Sequence, residues 1–193
     1  MKLFFRKVNK SNGGFTLVET LVAISIFTVS ILGMMAVLSG SISDTFFAKQ
    51  KLTATYLAQE GIEYIRNMRD TYALYPATAG TGWASFINNL SDNSCDTTNG
   101  CFFNADNIDY EDDMRPIVDI TLDDCLSSAC PDGALYYEEG KYGFSRAPSG
   151  YVRKIGMNEI SDDEIQITST VSWKQGSGEY SVTFSENLFN WIQ

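Results

Sequence analysis

Histidine is absent from the 193 residues, and with it go the commonest general base and the commonest metal ligand. Metal-dependent hydrolysis and Ser/His or Cys/His catalysis therefore lose their usual central residue. Proline is scarce as well: there are four, none before Pro76, so no residue of that kind interrupts the chain up to that point. Cations are few, 14 against 24 acidic residues. Lys2, Arg6, Lys7 and Lys10 all precede Gly14, and removing that stretch would take the formal charge from −10 to −14. So acidic an exterior repels phosphate backbones, and direct nucleic-acid binding by the globular part is not expected.

The four cysteines fall into two close pairs, Cys95 with Cys101 and Cys125 with Cys130. An even count behind a membrane-directed N-terminus suggests disulfides formed on the oxidising side of a membrane. Three connectivities are open; short loops close most easily and favour the two local pairings. The loop-entropy relation gives each such small ring roughly 2 to 3 kcal/mol. A zinc site is the rival, weakened because neither pair has the two-residue spacing usual for zinc hooks.

The first 14 residues are basic, then polar, then glycine, and an apolar run follows from Phe15 to Leu38. A secretory signal would place its small-residue site after a shorter apolar core. A plain signal anchor fits the length, since about 20 apolar residues span a bilayer, but it explains neither Gly13-Gly14 nor Glu19. A carboxylate inside a spanning helix is costly. If the chain is cut after Gly14, Phe15 becomes the N-terminus, and Glu19 lies about one helical turn away, within reach of an α-amine of its own chain or of a neighbour.

Gly14-Phe15-Thr16-Leu17-Val18-Glu19, after a short basic leader and before an apolar run, resembles the prepilin signature of the type IV pilin and type II secretion pseudopilin superfamily. The resemblance covers about 25 residues and implies cleavage after Gly14 by prepilin peptidase, N-methylation of Phe15 and an assembly role for Glu19. It also implies other pilin or pseudopilin subunits and an inner-membrane assembly platform as partners. The lipid bilayer would hold the chain before assembly. Basic leader residues place the leader in the cytoplasm and the C-terminus outside, with the cell surface or pilus as the destination after assembly.

Beyond Leu38, residues Ile42, Phe46, Leu57, Ile62, Ile65 and Met68 recur at helical intervals beside small Ala54, Ala58 and Gly61. They predict one helix over 15–70, about 84 Å long at 1.5 Å per residue, whose outer half packs an apolar stripe on the domain that follows. Along its surface Arg66 could pair with Glu63 or Asp70. Residues 59–70 also resemble the helix end of minor pilins and minor pseudopilins.

Residues 78–82 then read as a loop, 83–90 as a short helix, 116–122 as a weak strand and 134–145 as a hairpin about Glu139-Gly140. The disulfide loops between these pieces are expected to decorate the domain rather than fill its core. From Gly150 the alternation is cleaner. Three strands joined by turns at 158–163 and 175–178 form an antiparallel meander, apolar on one face and rich in Gln166, Thr168, Thr170 and Ser172 on the other. Leu188, Phe189, Trp191 and Ile192 are expected to pack as an apolar tail.

The expected fold is therefore α+β and pilin-like: a leader at 1–14, a transmembrane and assembly half-helix at 15–38, an amphipathic half at 39–70, and an extracytoplasmic domain at 71–193 with its meander at about 150–188. No catalytic or metal residues are assigned, and no cofactor is expected. Calcium is the open alternative, since Asp106, Asp109, Glu111, Asp112, Asp113, Asp119, Asp123 and Asp124 could supply oxygen ligands. They lack EF-hand spacing, and charge runs are usually solvated surface. Tyr136, Tyr137, Tyr142 and Tyr151 read as sheet and core residues, with an adhesive aromatic patch as the alternative. The expected function is that of a non-enzymatic minor pilin or pseudopilin. A surface adhesin that never polymerises is the main alternative, and a surface hydrolase a lesser one.

Overall fold

A computed structural model of the chain describes residues 14–76, 81–103, 121–138, 141–143 and 147–191. Helix α1 runs Leu17–Leu74 and α2 Gly82–Asp92. Among the described residues seven strands follow: β1 Cys101–Phe103, β2 Leu122–Asp124, β3 Ala134–Glu138, β4 Lys141–Gly143, β5 Ala147–Ser161, β6 Glu164–Gln175 and β7 Gly178–Phe189. A 3₁₀ turn at Pro131–Gly133 leads into β3. The architecture is α+β, with α1 packed on an antiparallel sheet and two disulfides in the C-terminal region.

The chain separates into two compact units, one up to Phe46 and one from Phe47. In the first, every described residue from Gly14 to Phe46 is exposed. Ile42 and Phe46, expected on the packed stripe, are about 60% exposed, so the packed stripe begins later than the pattern suggested.

In the second unit the buried residues of α1 are Ala54, Leu57, Ala58, Gly61, Ile62, Ile65, Met68 and Thr71. Their spacing of three and four is one face of an α-helix. That face lies on the sheet's inner side, against Ile155 and Met157 of β5, Ile165, Ile167, Val171 and Trp173 of β6, and Leu188 of β7. Along β6 these inward residues alternate with half-buried Gln166, Thr168, Thr170 and Ser172, because a strand turns successive side chains to opposite faces. Where the helix is nearest the sheet, position 61 has no room for a side chain. A Cβ there would collide with Ser169 Oγ and come within 3.2 Å of Ile155 Cδ1.

The long strands form a meander. β5 pairs β6 and β6 pairs β7, the second junction closing through Gly176-Ser177 with Gly176 at φ +59°, a backbone region glycine enters without steric cost. On its other side β5 pairs β1 through Cys101↔Ile155 and β3 through Leu135↔Tyr151. Helix α2 brings Phe86 and Leu90 into the same core, and Trp83 Nε1 donates to the Asp162 carbonyl at 2.8 Å.

Several expectations are corrected. The helix continues to Leu74 because no proline or glycine intervenes between Gly61 and Pro76. Residues 158–161 belong to β5, leaving Asp162-Asp163 as the turn. The disulfide loops do not merely decorate the domain: Cys95 and Cys101 are fully buried in the core cluster, and Cys125 and Cys130 are buried as well. The C-terminal tail follows strand alternation, so Leu188 is buried while Phe189 and Trp191 are more than half exposed. The tip of the 134–145 hairpin, nearly all of the 116–122 strand, residues 78–80 of the loop, and Ile192 lie outside the described residues.

Candidate functional site

The sequence directs attention to the start of α1. Residues 1–13 of the leader lie outside the described residues. Gly14 is exposed, a side chain there would meet nothing within 4 Å, and Phe15 is 84% exposed. The helix proper starts two residues later than expected, at Leu17, because Thr16 serves as its cap.

Thr16 and Glu19 hold each other. The Thr16 backbone N–H and hydroxyl each donate to Glu19 Oε2 at 2.9 Å, and the Glu19 N–H donates to Thr16 Oγ1 at 3.3 Å. This reciprocal arrangement is a capping box, in which a hydroxyl residue and a glutamate three positions on satisfy donors that the first helical turn leaves open. The pattern Thr-x-x-Glu before an apolar run is its signature, so the cap was readable in Thr16 to Glu19 and was not drawn from it. Glu19 also stands in the first turn, where a helix favours negative charge.

The helix that follows is long and apolar enough to cross a membrane. Its hydroxyls turn back on their own backbone. Thr20 donates to Leu17 O, Ser25 to Leu21 O, Thr28 to Ser25 O and Ser30 to Ile26 O, at 2.8 to 3.0 Å. Such internal bonds spare these groups an unmet donor in hydrocarbon. Leu17, Val18, Ile24, Phe27, Leu32 and Val37 remain as a wholly exposed apolar surface.

The other candidate residues lie in the second unit. The structure pairs Cys95 with Cys101 and Cys125 with Cys130, leaving no free thiol. Asp106, Asp109, Glu111, Asp112, Asp113 and Asp119 lie outside the described residues. Among the described residues no group of three or more acidic or thiol side chains is placed to hold a metal ion. The tyrosines divide. Tyr137, Tyr142 and Tyr151 join Trp173 and Tyr180 in a row of ring contacts at 4.8 to 6.4 Å, and Tyr136 lies on the opposite face of the sheet, beside a groove.

Two arginines that sequence reasoning did not single out as internal ties link α1 to the strands. Arg153 is 3% exposed. Its Nη1 donates to Glu60 Oε2 at 2.8 Å, and its guanidinium lies 4.2 Å from the centre of the Phe103 ring. Burial pulls its pKa below the ordinary arginine value, with the Glu60 charge opposing the shift. Arg66 binds Glu63 at 2.6 Å and also reaches Glu186 of β7, with Nε to Oε1 at 3.1 Å. The hydrogen bond to Glu186 is the main cause that raises its pKa. Asp70, the other expected partner, pairs with Arg69 instead.

Residues 9–35 match the family model described as the prokaryotic N-terminal methylation motif. No curated protein and no solved structure matches the chain.

Proposed function

We propose, on the premise that the methylation motif makes this chain a type IV pilin-like precursor of the pilin and pseudopilin superfamily, that it is a minor, non-enzymatic subunit of a type IV pilus or type II secretion-like filament. The motif implies recognition by prepilin peptidase and assembly with other pilin subunits, and its family is structural. On this reading the chain crosses the cytoplasmic membrane once with its C-terminus outside. It is cut after Gly14, methylated at Phe15, and passes into the filament by exchanging lipid for neighbouring helices along residues 15–46. The methylation motif running directly into a fully exposed apolar helix carries the reading. The two disulfide rings support a minor subunit with a specialised domain rather than the bulk repeat.

The cap sharpens the part Glu19 would play. Thr16 engages only Oε2, so Oε1 is the atom that would receive the amine of a neighbour's Phe15 in a low-dielectric bundle, where an unpaired carboxylate is costly. Intact mass of the protein from sheared surface filaments tests the reading. The expected mass lacks residues 1–14 and carries one added methyl, and Glu19→Ala subunits are processed but depleted from filaments. An unprocessed protein confined to membranes would instead indicate an anchored surface protein that never polymerises.

A further inference from the structure

The outer face of the sheet, turned away from the packed stripe of α1, holds a groove of about 660 Å³, within the size range of small-ligand sites. Its floor is made of short side chains, Val152 on β5 with Thr170 and Ser172 on β6, and Tyr136 stands at one side. Its wall is rigid. The Cys125–Cys130 ring and the 3₁₀ turn at Pro131–Gly133 brace it, and Lys154 Nζ donates to the Ser128 carbonyl at 3.0 Å, tying it to the sheet.

On a molecule of formal charge −10 the groove is lined by two cations and one carboxylate, Lys154, Lys174 and Glu179. Arg66, Arg69 and Arg153 are each neutralised by carboxylates within the fold, whereas Lys154 and Lys174 both project on the outer face and line the groove. Lys154 pairs in register with Thr170, which places Lys174 four residues further along β6, about 13 Å at strand rise. Lys174 meets Glu179 at 3.1 Å, but both side chains are more than 70% exposed, so water screens the pair and an incoming anion can compete for the lysine. The floor strands β5 and β6 are paired on both sides, so a peptide could join the backbone only at β7, which borders the groove through Glu179 to Ser181. A polyhydroxylated chain fits the floor itself better, because the Ser172 hydroxyl can both donate and accept, and Thr170, whose hydroxyl shares a 2.9 Å hydrogen bond with that of Thr183, keeps acceptor capacity.

We propose that this groove binds a carboxylate-bearing saccharide chain. Lys154 and Lys174 engage acid groups toward the two ends, Thr170 and Ser172 exchange hydrogen bonds with ring hydroxyls, and the Tyr136 ring packs on a sugar face. The proposal concerns the unassembled chain and does not depend on filament formation.

The test is calorimetric titration of the full-length protein in detergent micelles with three probes: a galacturonic acid hexamer, neutral maltohexaose and a short poly-glutamate. Saturable binding of the galacturonate probe that weakens with salt is expected, with neither other probe matching it. Lys154→Glu and Ser172→Glu should each lower the affinity at least tenfold, while Lys51→Glu, a matched charge change on α1, leaves it within twofold. Thermal unfolding identifies variants that keep the fold, and Ser172→Glu decides if Lys154→Glu loses it. Equal binding of maltohexaose or of poly-glutamate, undiminished binding by the folded variants, or no saturable binding to the galacturonate probe overturns the site. That failure would leave the mass and Glu19 results standing, and their failure would leave the titration standing.

Discussion

Gly61 marks the closest approach of helix and sheet, and the consequence is measurable at one side chain. Glycine inside a helix ordinarily costs about 1 kcal/mol relative to alanine, so its presence there needs a reason, and Ser169 Oγ directly opposite supplies it. Gly61→Val should destabilise the protein by about 1–3 kcal/mol through overpacking, read from urea unfolding followed by tryptophan fluorescence. The Ser169 hydroxyl is buried and has no hydrogen-bond partner among the described residues. Ser169→Ala therefore removes both an unsatisfied group and the obstruction, and the Gly61→Ala/Ser169→Ala pair should be more stable than Gly61→Ala alone. A double variant no better than the single would show that the sheet, not the hydroxyl, sets the spacing. Arg153 is the other residue whose part emerges only from packing. Nothing in its neighbours along the chain foretells that Glu60 and Phe103 would meet it.

Among the elements, those with a strong period were legible in sequence and those fixed by distant contacts were not. Strand β6 and the outer half of α1 announce themselves because the alternation of Ile165, Ile167, Val171 and Trp173, and the three-four spacing from Ala54 to Met68, are local properties. The burial of Cys95 and Cys101 is not local: it depends on Cys101 lying beside Ile155 and on α2 covering the other side. The row of rings across β3, β4, β5, β6 and β7 is of the same kind, and it makes the sheet sensitive to alkali. Burial raises the pKa of Tyr142 and of Tyr151 above the ordinary phenol value. The folded state therefore holds these protons more tightly than the unfolded chain. That stability is whole below the unfolded value of about 10 and is lost as pH rises from there through the folded values. Denaturation midpoints should fall from about pH 10 upward, and a Tyr142→Phe/Tyr151→Phe variant should fall less steeply. Parallel curves for the two proteins would assign the alkaline loss to other groups.

For the whole molecule, every buried core residue among the described residues lies at or beyond Ala54, and the unit from Phe47 contains both core clusters and both disulfides. A chain beginning at Phe47 should therefore fold in plain buffer with the near-ultraviolet dichroism of the full protein, whereas the full protein should require detergent, since Leu17 to Phe46 exposes apolar side chains throughout. A truncated chain without fixed aromatic dichroism would mean that the first unit stabilises the second. The candidate site was legible in outline, since glycine, Phe15 and Glu19 stand in a recognisable order, and the Thr16–Glu19 cap bonds are legible as well in the Thr-x-x-Glu spacing. Those bonds bear on maturation. Both partners of the cap lie on the retained side of Gly14, so a peptidase cutting there would convert a membrane-held precursor into a subunit free to assemble without resetting where the first helical turn begins. The helix would bring its own terminus to every setting it meets, in lipid or among neighbours, and the registration of Glu19 with respect to Thr16 would survive the loss of the leader unchanged.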